Sequence, residues 1–363
     1  MDSPLEQARA LFLAGLAHYE AGRLPQAGEQ FAAALALAPG RPSLLTNRGA
    51  VRLKLGQREE ALGLLQQALV QEPDNVEALG HSAAALAELG ESMQALARFD
   101  RALALDPTRA SLWTLRGSVL KELGRDTEAA ASFQAALERG GDRELNRYYL
   151  AGVSRMEPPP PNAPRHYVED LFDGYAEQFD THLVQALRYD APRRLAERLA
   201  GRACRAALDL GCGTGLCGPF LRPLAASVTG VDLSRNMLDK AQALGTYDTL
   251  LQADVAEYLA AAREPFDLVI AADVFVYVGR LEGVFRDVAR LLPPGGTFCF
   301  TVEEALAGED VALRTSLRYA HSEAYLRRLA QENGLRLVAL ERAPVREEQR
   351  QPIPGLFVWL ERS

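Results

Sequence analysis

Cysteine is scarce in this sequence. Four of 363 residues are cysteine, at positions 204, 212, 217 and 299. Their spacing matches neither the paired motif of a metal site nor a disulfide framework. They read as small buried thiols in a reducing, cytoplasmic setting, with no metal expected. Basic clusters are missing as well. The formal net charge is -8 and no run of lysine or arginine stands out, which disfavours a nucleic-acid partner held through its phosphates. No apolar stretch reaches the roughly 20 residues of a membrane-spanning helix, so no membrane association is expected. The opening MDSPLEQARALFLAGLAHYEAG lacks the basic leader of a signal peptide and reads as a helix. What remains is a globular balance, 48% hydrophobic and 24% charged, in a chain long enough for at least two domains.

The first half is periodic. Gly22, Gly56, Gly90 and Gly124 are 34 residues apart, as are Ala27, Ala61, Ala95 and Ala129. Pro39, Pro73 and Pro107 continue the period, with Gly141 in the fourth place. An A-x3-F element recurs as Ala27/Phe31, Ala95/Phe99 and Ala129/Phe133, with Leu65 replacing the aromatic once. This pattern resembles four tetratricopeptide repeats, at about 8–41, 42–75, 76–109 and 110–143, and RELNRYYLAGVSRM reads as a closing helix. Each glycine suits a left-handed cap, each proline stops the second helix of a pair, and only the stack can bury the apolar faces. An α-solenoid over residues 1–153 is therefore expected. The resemblance implies a protein or peptide partner in a groove. The groove positions read as Phe12, Leu16, Thr46, Ala50, Gly80, Ala84, Thr114 and Ser118. Only Asn47 fits a carboxylate clamp, so the partner is expected to be held by apolar side chains and backbone hydrogen bonds. Residues 154–165, with Pro158 to Pro161, read as a stiff linker.

From Ala206 onwards, strand-like and helix-like segments alternate. AALDL, SVTGVD, DTLLQAD and FDLVIAAD are separated by helical patterns, and GTFCFTVE, LRLVALER and GLFVWLER follow. Such alternation predicts a parallel α/β sheet with its ligand site at the C-terminal strand ends. Asp209, Asp232, Asp254 and Asp273 fall at or just beyond four of those ends. The stretch ALDLGCGTGLCGPF holds Gly213, Gly215 and Gly218, a GxGxxG spacing that by itself suits a dinucleotide. Yet an acid precedes the glycines, as D-x-G-x-G-x-G from Asp209 through Gly211, Gly213 and Gly215. That order resembles the first motif of class I S-adenosylmethionine-dependent methyltransferases. VTGVDLSRNMLDKA, LLQADVAEYL, FDLVIAADVFVYV and ARLLPPGGTFCFTVE resemble the family's later motifs, in sequence. The chain as a whole is similar to bacterial methyltransferases that carry tetratricopeptide repeats at their N-terminus.

The resemblance implies a Rossmann-like seven-stranded domain over 166–363, S-adenosylmethionine as cofactor, and a set of binding residues. Gly211, Cys212, Gly213 and Gly215 form the loop, with a helix N-terminus beyond it for the cofactor's carboxylate. Asp209 orients the loop and faces the cofactor's ammonium side. Asp232 with Leu233 serves the ribose, Asp254 the adenine amine and the Val255 amide the ring. For the acceptor the candidates are Asp273, Tyr277, Tyr319, His321 and Arg346; Asp273 and Tyr277 follow the fourth strand, and His321 is either a base or the cap of the helix starting at Ser322. Tyr175 and Phe179 lie on a helix that either lids the cofactor or packs in the core. Asp254 and Asp273 could each cap a helix instead. The repeats are expected to recruit a protein substrate or carrier. The alternatives are a quinone-like or carrier-bound small acceptor with the repeats serving another assembly, and a silent scaffold.

Overall fold

A computed structural model describes residues 3–156, 158–175, 189–348 and 351–363. The chain divides into two compact units, Met1–Ser154 and Arg155–Ser363.

The first unit pairs its helices in chain order. The pairs are α1 (Pro4–Glu20) with α2 (Leu24–Leu37), α3 (Pro42–Lys54) with α4 (Arg58–Gln71), α5 (Val76–Glu88) with α6 (Ser92–Leu105), and α7 (Ala110–Glu122) with α8 (Asp126–Glu138). Gly22, Gly56, Gly90 and Gly124 all turn at φ between 68° and 81°, the left-handed step that ends the first helix of each pair. Close approach within pairs also follows the 34-residue period. A Cβ on Gly15 would lie 2.6 Å from the Phe31 ring, one on Gly117 2.6 Å from Phe133, and one on Gly49 2.7 Å from Leu65 Cγ. Phe31, Leu65, Phe99 and Phe133 are all fully buried, so leucine fills the aromatic's place without changing the packing.

The groove reading needs correction. Thr46, Ala50 and Gly80 are buried, and a Cβ on Gly80 would sit 2.7 Å from Leu112 of the next repeat. The last helix, α9 (Arg143–Ser154), covers the far end. Thr114 donates to Asn146 Oδ1 at 2.8 Å, Asn146 is fully buried, and the Tyr149 hydroxyl bonds Ser118. The chain's own closing helix thus takes up the polar groups that the sequence offered to a partner.

In the second unit, β1 (Cys204–Leu210), β2 (Ala225–Asp232), β3 (Thr249–Gln252), β4 (Leu268–Ala271) and β5 (Thr297–Glu304) run parallel in the order β3-β2-β1-β4-β5. The strands β8 (Leu335–Glu348) and β9 (Gln351–Arg362) form a long antiparallel hairpin, and β9 lies against β5. Two strands add to the expected seven. They are β6 (Val311–Leu313) and β7 (Tyr319–His321), a short hairpin that pairs with the end of β5 at Glu303 and Glu304. Alternation along the strands separates two cores. Leu208, Leu210, Val269, Phe298 and Phe300 meet α14 (Val255–Ala261), α15 (Glu282–Leu291) and α16 (Glu323–Glu332) on one face. Ala207, Leu268, Ile270, Cys299 and Trp359 meet α11 (Ala191–Glu197) on the other.

The proline segment is not a free spacer. The Ala163 amide donates to the Tyr277 carbonyl at 3.0 Å and the Arg280 amide to the Pro161 carbonyl at 2.9 Å. The Tyr319 hydroxyl donates to the Pro160 carbonyl at 2.9 Å. Proline lacks an N–H but keeps its carbonyl, and Gly279 lets Pro161 come close, since a Cβ there would lie 2.7 Å from the Pro161 oxygen. A fragment starting at Arg155 is therefore expected to unfold at the same denaturant midpoint as this domain does in the whole chain. One starting at Arg165 loses three hydrogen bonds and should be less stable by roughly 1–3 kcal/mol. Chemical denaturation of the two fragments checks this, and equal midpoints would count against the segment's being part of the fold.

Candidate active site

Just past β1 the backbone makes a turn that only glycines take readily. Gly211, Gly213 and Gly215 have φ of 61°, 54° and 94°. At Gly211 space is also decisive, because a Cβ would lie 2.6 Å from Val274 Cγ2. The loop is fastened to β2, with the Cys212 amide on the Val231 carbonyl at 3.0 Å and the Gly213 amide on Asp232 Oδ2 at 2.8 Å. The helix after it, α12 (Gly218–Leu221), is a single turn. It is too short to supply the dipole expected for a carboxylate there.

The four strand-end acids separate by role. Asp232, Asp254 and Asp273 line one cavity of about 700 Å³. Asp232 is half-buried and also accepts from the Ser234 amide at 2.9 Å, and burial raises its pKa. Asp254 does cap α14, taking the Ala256 and Glu257 amides at 2.8 and 3.0 Å. Both fall on Oδ1, which leaves the other oxygen for a ligand. Cap and ligand roles are therefore compatible. Asp209 differs, since it is fully buried and does not line the cavity. Its Oδ2 accepts from the Tyr247 hydroxyl at 2.6 Å, its Oδ1 has no hydrogen-bond partner among the described residues, and burial pushes its pKa up to about 7. Gly211, Cys212, Gly213, Leu233 and Val255 all border the cavity.

One wall is the helix α10 (Arg165–Tyr175). Its Asp173 accepts from Ser234 Oγ at 2.5 Å, and its Phe172 meets Tyr277 edge-on with ring centres 5.4 Å apart. The Tyr175 side chain and Phe179, expected to lid the cofactor or pack in the core, lie outside the described residues.

The acceptor end brings the expected Asp273, Tyr277 and Arg346 together with Ser316, Arg318 and Glu348, which the sequence did not single out. Asp273 follows β4 in a left-handed conformation, φ 59°, its amide held by Thr301 Oγ1 at 2.8 Å. Its Oδ1 receives Arg346 at 2.7 Å. Arg346 stands beside an irregularity in β8 at Pro344/Arg346, and such breaks in register re-aim a side chain. Here the guanidinium is turned into the interior, where it also bonds Glu303 and, at 2.8 Å, Glu348. Arg318 pairs with Glu348 and hydrogen-bonds the Tyr277 hydroxyl. Ser316, Arg318, Arg346 and Glu348 border the cavity with Asp273 and Tyr277.

His321 is not with them. It is fully buried and does not border the cavity. Its Nε2 lies 2.9 Å from the Gly279 carbonyl and its ring stacks on Tyr325. Burial lowers its pKa to about 4, unsuited to a base at neutral pH. The helix cap is Ser322, which accepts from the Tyr325 amide at 3.1 Å. His321 therefore fills neither expected role; it braces the segment that carries Gly279. Among the described residues no cluster of histidine, cysteine or acid could hold a metal ion, and no helix is long and apolar enough to cross a membrane.

A glycine cradle that admits no Cβ, a half-buried carboxylate beside it and a cavity within the usual range for small ligands suit a nucleoside-bearing cofactor such as S-adenosylmethionine. Comparisons with known proteins agree. Residues 208–300 match the family model described as a methyltransferase domain, and 2–42, 52–119 and 110–139 match tetratricopeptide repeat models. The chain is 30% identical over 200 residues to the ubiquinone biosynthesis O-methyltransferase of Ralstonia nicotianae, covering 51% of this chain and 82% of that one. It is 29% identical over 177 residues to the malonyl-[acyl-carrier protein] O-methyltransferase of Enterobacter lignolyticus, covering 48% and 69%. Among solved structures, the magnesium protoporphyrin IX methyltransferase of Synechocystis with bound SAH superposes with a TM-score of 0.43 at 19% identity, over 55% of this chain and 99% of that one. With the motifs, the sheet order and the R. nicotianae relative together, the chain belongs to the class I S-adenosylmethionine-dependent methyltransferases and carries tetratricopeptide repeats at its N-terminus.

Proposed function

We propose that this enzyme methylates a small acceptor group that enters the cavity, and that the repeats bind the protein presenting it. The observation that carries this reading is the continuity of the cavity. One continuous cavity borders Gly211 and Asp232 as well as Tyr277, Ser316 and Arg318. An acceptor there must be small or borne on a slender arm. The cofactor, when bound, supplies an electrophilic methyl group on sulfonium. The protein's part is then alignment and exclusion of water. Asp232 and Asp254 hold the nucleoside, α10 walls the site, and Asp273 and Tyr277 are the groups to take or share an acceptor proton. The E. lignolyticus relative, named for a carrier-bound acceptor, supports the presented form. The R. nicotianae relative, named for ubiquinone biosynthesis, supports a free small molecule as the second reading.

Two measurements test this. Replacing Asp232 by alanine removes a charged acceptor of hydrogen bonds and should weaken S-adenosylhomocysteine binding by about 1.5–3 kcal/mol; unchanged affinity by calorimetry would remove Asp232 from the ribose role. The full chain and the Arg155–Ser363 fragment should then be given radiolabelled-methyl cofactor in a cell extract. Both should bind cofactor alike, with label in small or carrier-borne groups, and the fragment should transfer less to the carrier-borne fraction. Equal transfer by both would show that the repeats do not deliver the acceptor. Label on ordinary protein side chains would refute the small acceptor.

A further inference from the structure

The tight turn between β6 and β7 is built with unusual care. The Arg318 carbonyl accepts from the Arg314 amide at 2.9 Å and the Arg314 carbonyl from the Leu317 amide at 2.8 Å. Leu317 is held at φ 62°, a conformation unfavourable for leucine, and is buried with 3% of its surface exposed. Its neighbours on either side, Ser316 and Arg318, border the cavity. Strain of this kind persists where the surroundings impose it, often at a binding site. The other two non-glycine residues with positive φ among those described are Arg155 and Asp273, and Asp273 borders the same end of the same cavity.

The two arginines at this end differ in how many of their donors are taken. Arg346 is met by three carboxylates, those of Asp273, Glu303 and Glu348. It is saturated and buried. Arg318 has one carboxylate partner, Glu348, and shares it with Arg346. A guanidinium has five donors. Glu348 and the Tyr277 hydroxyl take at most three of them, so at least two are left among the described residues. The cavity that Arg318 borders also has apolar and aromatic walls, with Tyr189, Pro192, Phe172 and Val278 among them.

We infer that Arg318, with Ser316, is the specificity anchor of the acceptor site and selects an apolar or aromatic acceptor that carries a carboxylate remote from the atom methylated. The carboxylate takes the two spare donors of the fork, while the body of the acceptor lies on Tyr277 and Tyr189. A neutral analogue leaves those donors desolvated and unmet, which is where discrimination arises. This rests on the cavity's being the methyl-transfer site.

Calorimetry on the full chain saturated with S-adenosylhomocysteine tests it, with 3-phenylpropanoate as probe and 3-phenylpropanamide as its neutral match. The carboxylate should bind about tenfold or more tightly than the amide. Arg318→Gln should abolish that preference, and Arg318→Lys, which keeps the charge and loses the fork, should keep part of it. The lysine variant carries the test if the glutamine variant does not fold. Equal binding of the two probes, binding of neither, or an undiminished preference in a glutamine variant that still takes S-adenosylhomocysteine would each overturn the anchor. Failure of the parent chain to bind S-adenosylhomocysteine at all would instead overturn the methyl-transfer reading of the cavity.

Discussion

Arg346→Met lowers the stability of the methyltransferase domain by about 3–5 kcal/mol, the usual result of removing one partner from a buried ion pair. The reason is the number of groups left behind. Arg346 is 2% exposed and Glu303 equally so. Without the guanidinium, Asp273 and Glu303 lose their close cationic partner, and Arg314, 3.9 Å from Glu303, and the more distant Arg318 compensate them only in part. The three carboxylates come from the end of β4, from β5 and from β8, so their repulsion acts on the strand ends that build the acceptor site. For a domain of this size the change corresponds to a fall of very roughly 6–20 °C in its melting temperature. Glu348→Gln is the contrasting variant. The Glu348 side chain is 30% exposed and Arg346 keeps its other two partners, so its effect should stay near 1 kcal/mol or below. Denaturant unfolding of both variants in the Arg155–Ser363 fragment gives the comparison. A loss under 1 kcal/mol for Arg346→Met would mean that water or neighbouring groups solvate the cluster and that it does not hold the strand ends together.

Arg346 was among the acceptor candidates the sequence offered, but its ion-pair cluster marks the limit of what the sequence discloses. The repeat array was legible because its constraint is local and recurs: a left-handed glycine every 34 residues, and a small residue facing a large one within each pair. The cofactor loop was legible for a similar reason, since Gly211 and Gly213 answer to backbone angles and close approach within one turn. The acids at the strand ends could be found because strand patterning gives the position of the end. Arg346 and Arg318 offer no such pattern. Arg346 meets partners 73, 43 and 2 residues away, and a break in the register of β8, invisible in composition, turns it inward. The added hairpin that carries Arg318 has strands of only three residues, below what alternation can signal. His321 was misjudged because chemistry was read without burial; a histidine before a helix cap looks available until the chain folds over it. The proline run was misjudged for a related reason. Proline's missing donor is visible in the sequence, whereas the bonds its carbonyls accept depend on residues more than a hundred positions on.

Asp209→Asn stabilises the cofactor-free protein at neutral and alkaline pH and leaves it unchanged near pH 4. Burial holds the folded-state pKa of Asp209 at about 7, against an ordinary value of 3.8. The Tyr247 hydroxyl and Cys217 thiol oppose this shift only in part. Between those values the folded chain carries a proton that the unfolded chain has lost. Stability from this group therefore falls as pH rises from about 4 to about 7 and is level above that. At 1.36 kcal/mol per unit the full difference is on the order of 4 kcal/mol. Asparagine fits the same space, keeps an oxygen for the Tyr247 hydroxyl and never ionises. The gain in melting temperature should accordingly be small at pH 4.5 and largest above pH 7, as scanning calorimetry can follow. A gain that is equal at both ends would assign the effect to packing instead of charge. A carboxylate retained at this expense implies a use for the charge. The cofactor is cationic at its sulfonium and ammonium, and Asp209 stands behind the loop that cradles it, so the same substitution should weaken S-adenosylmethionine binding while it strengthens the fold. A variant that gained stability and kept full cofactor affinity would leave the buried charge without a function.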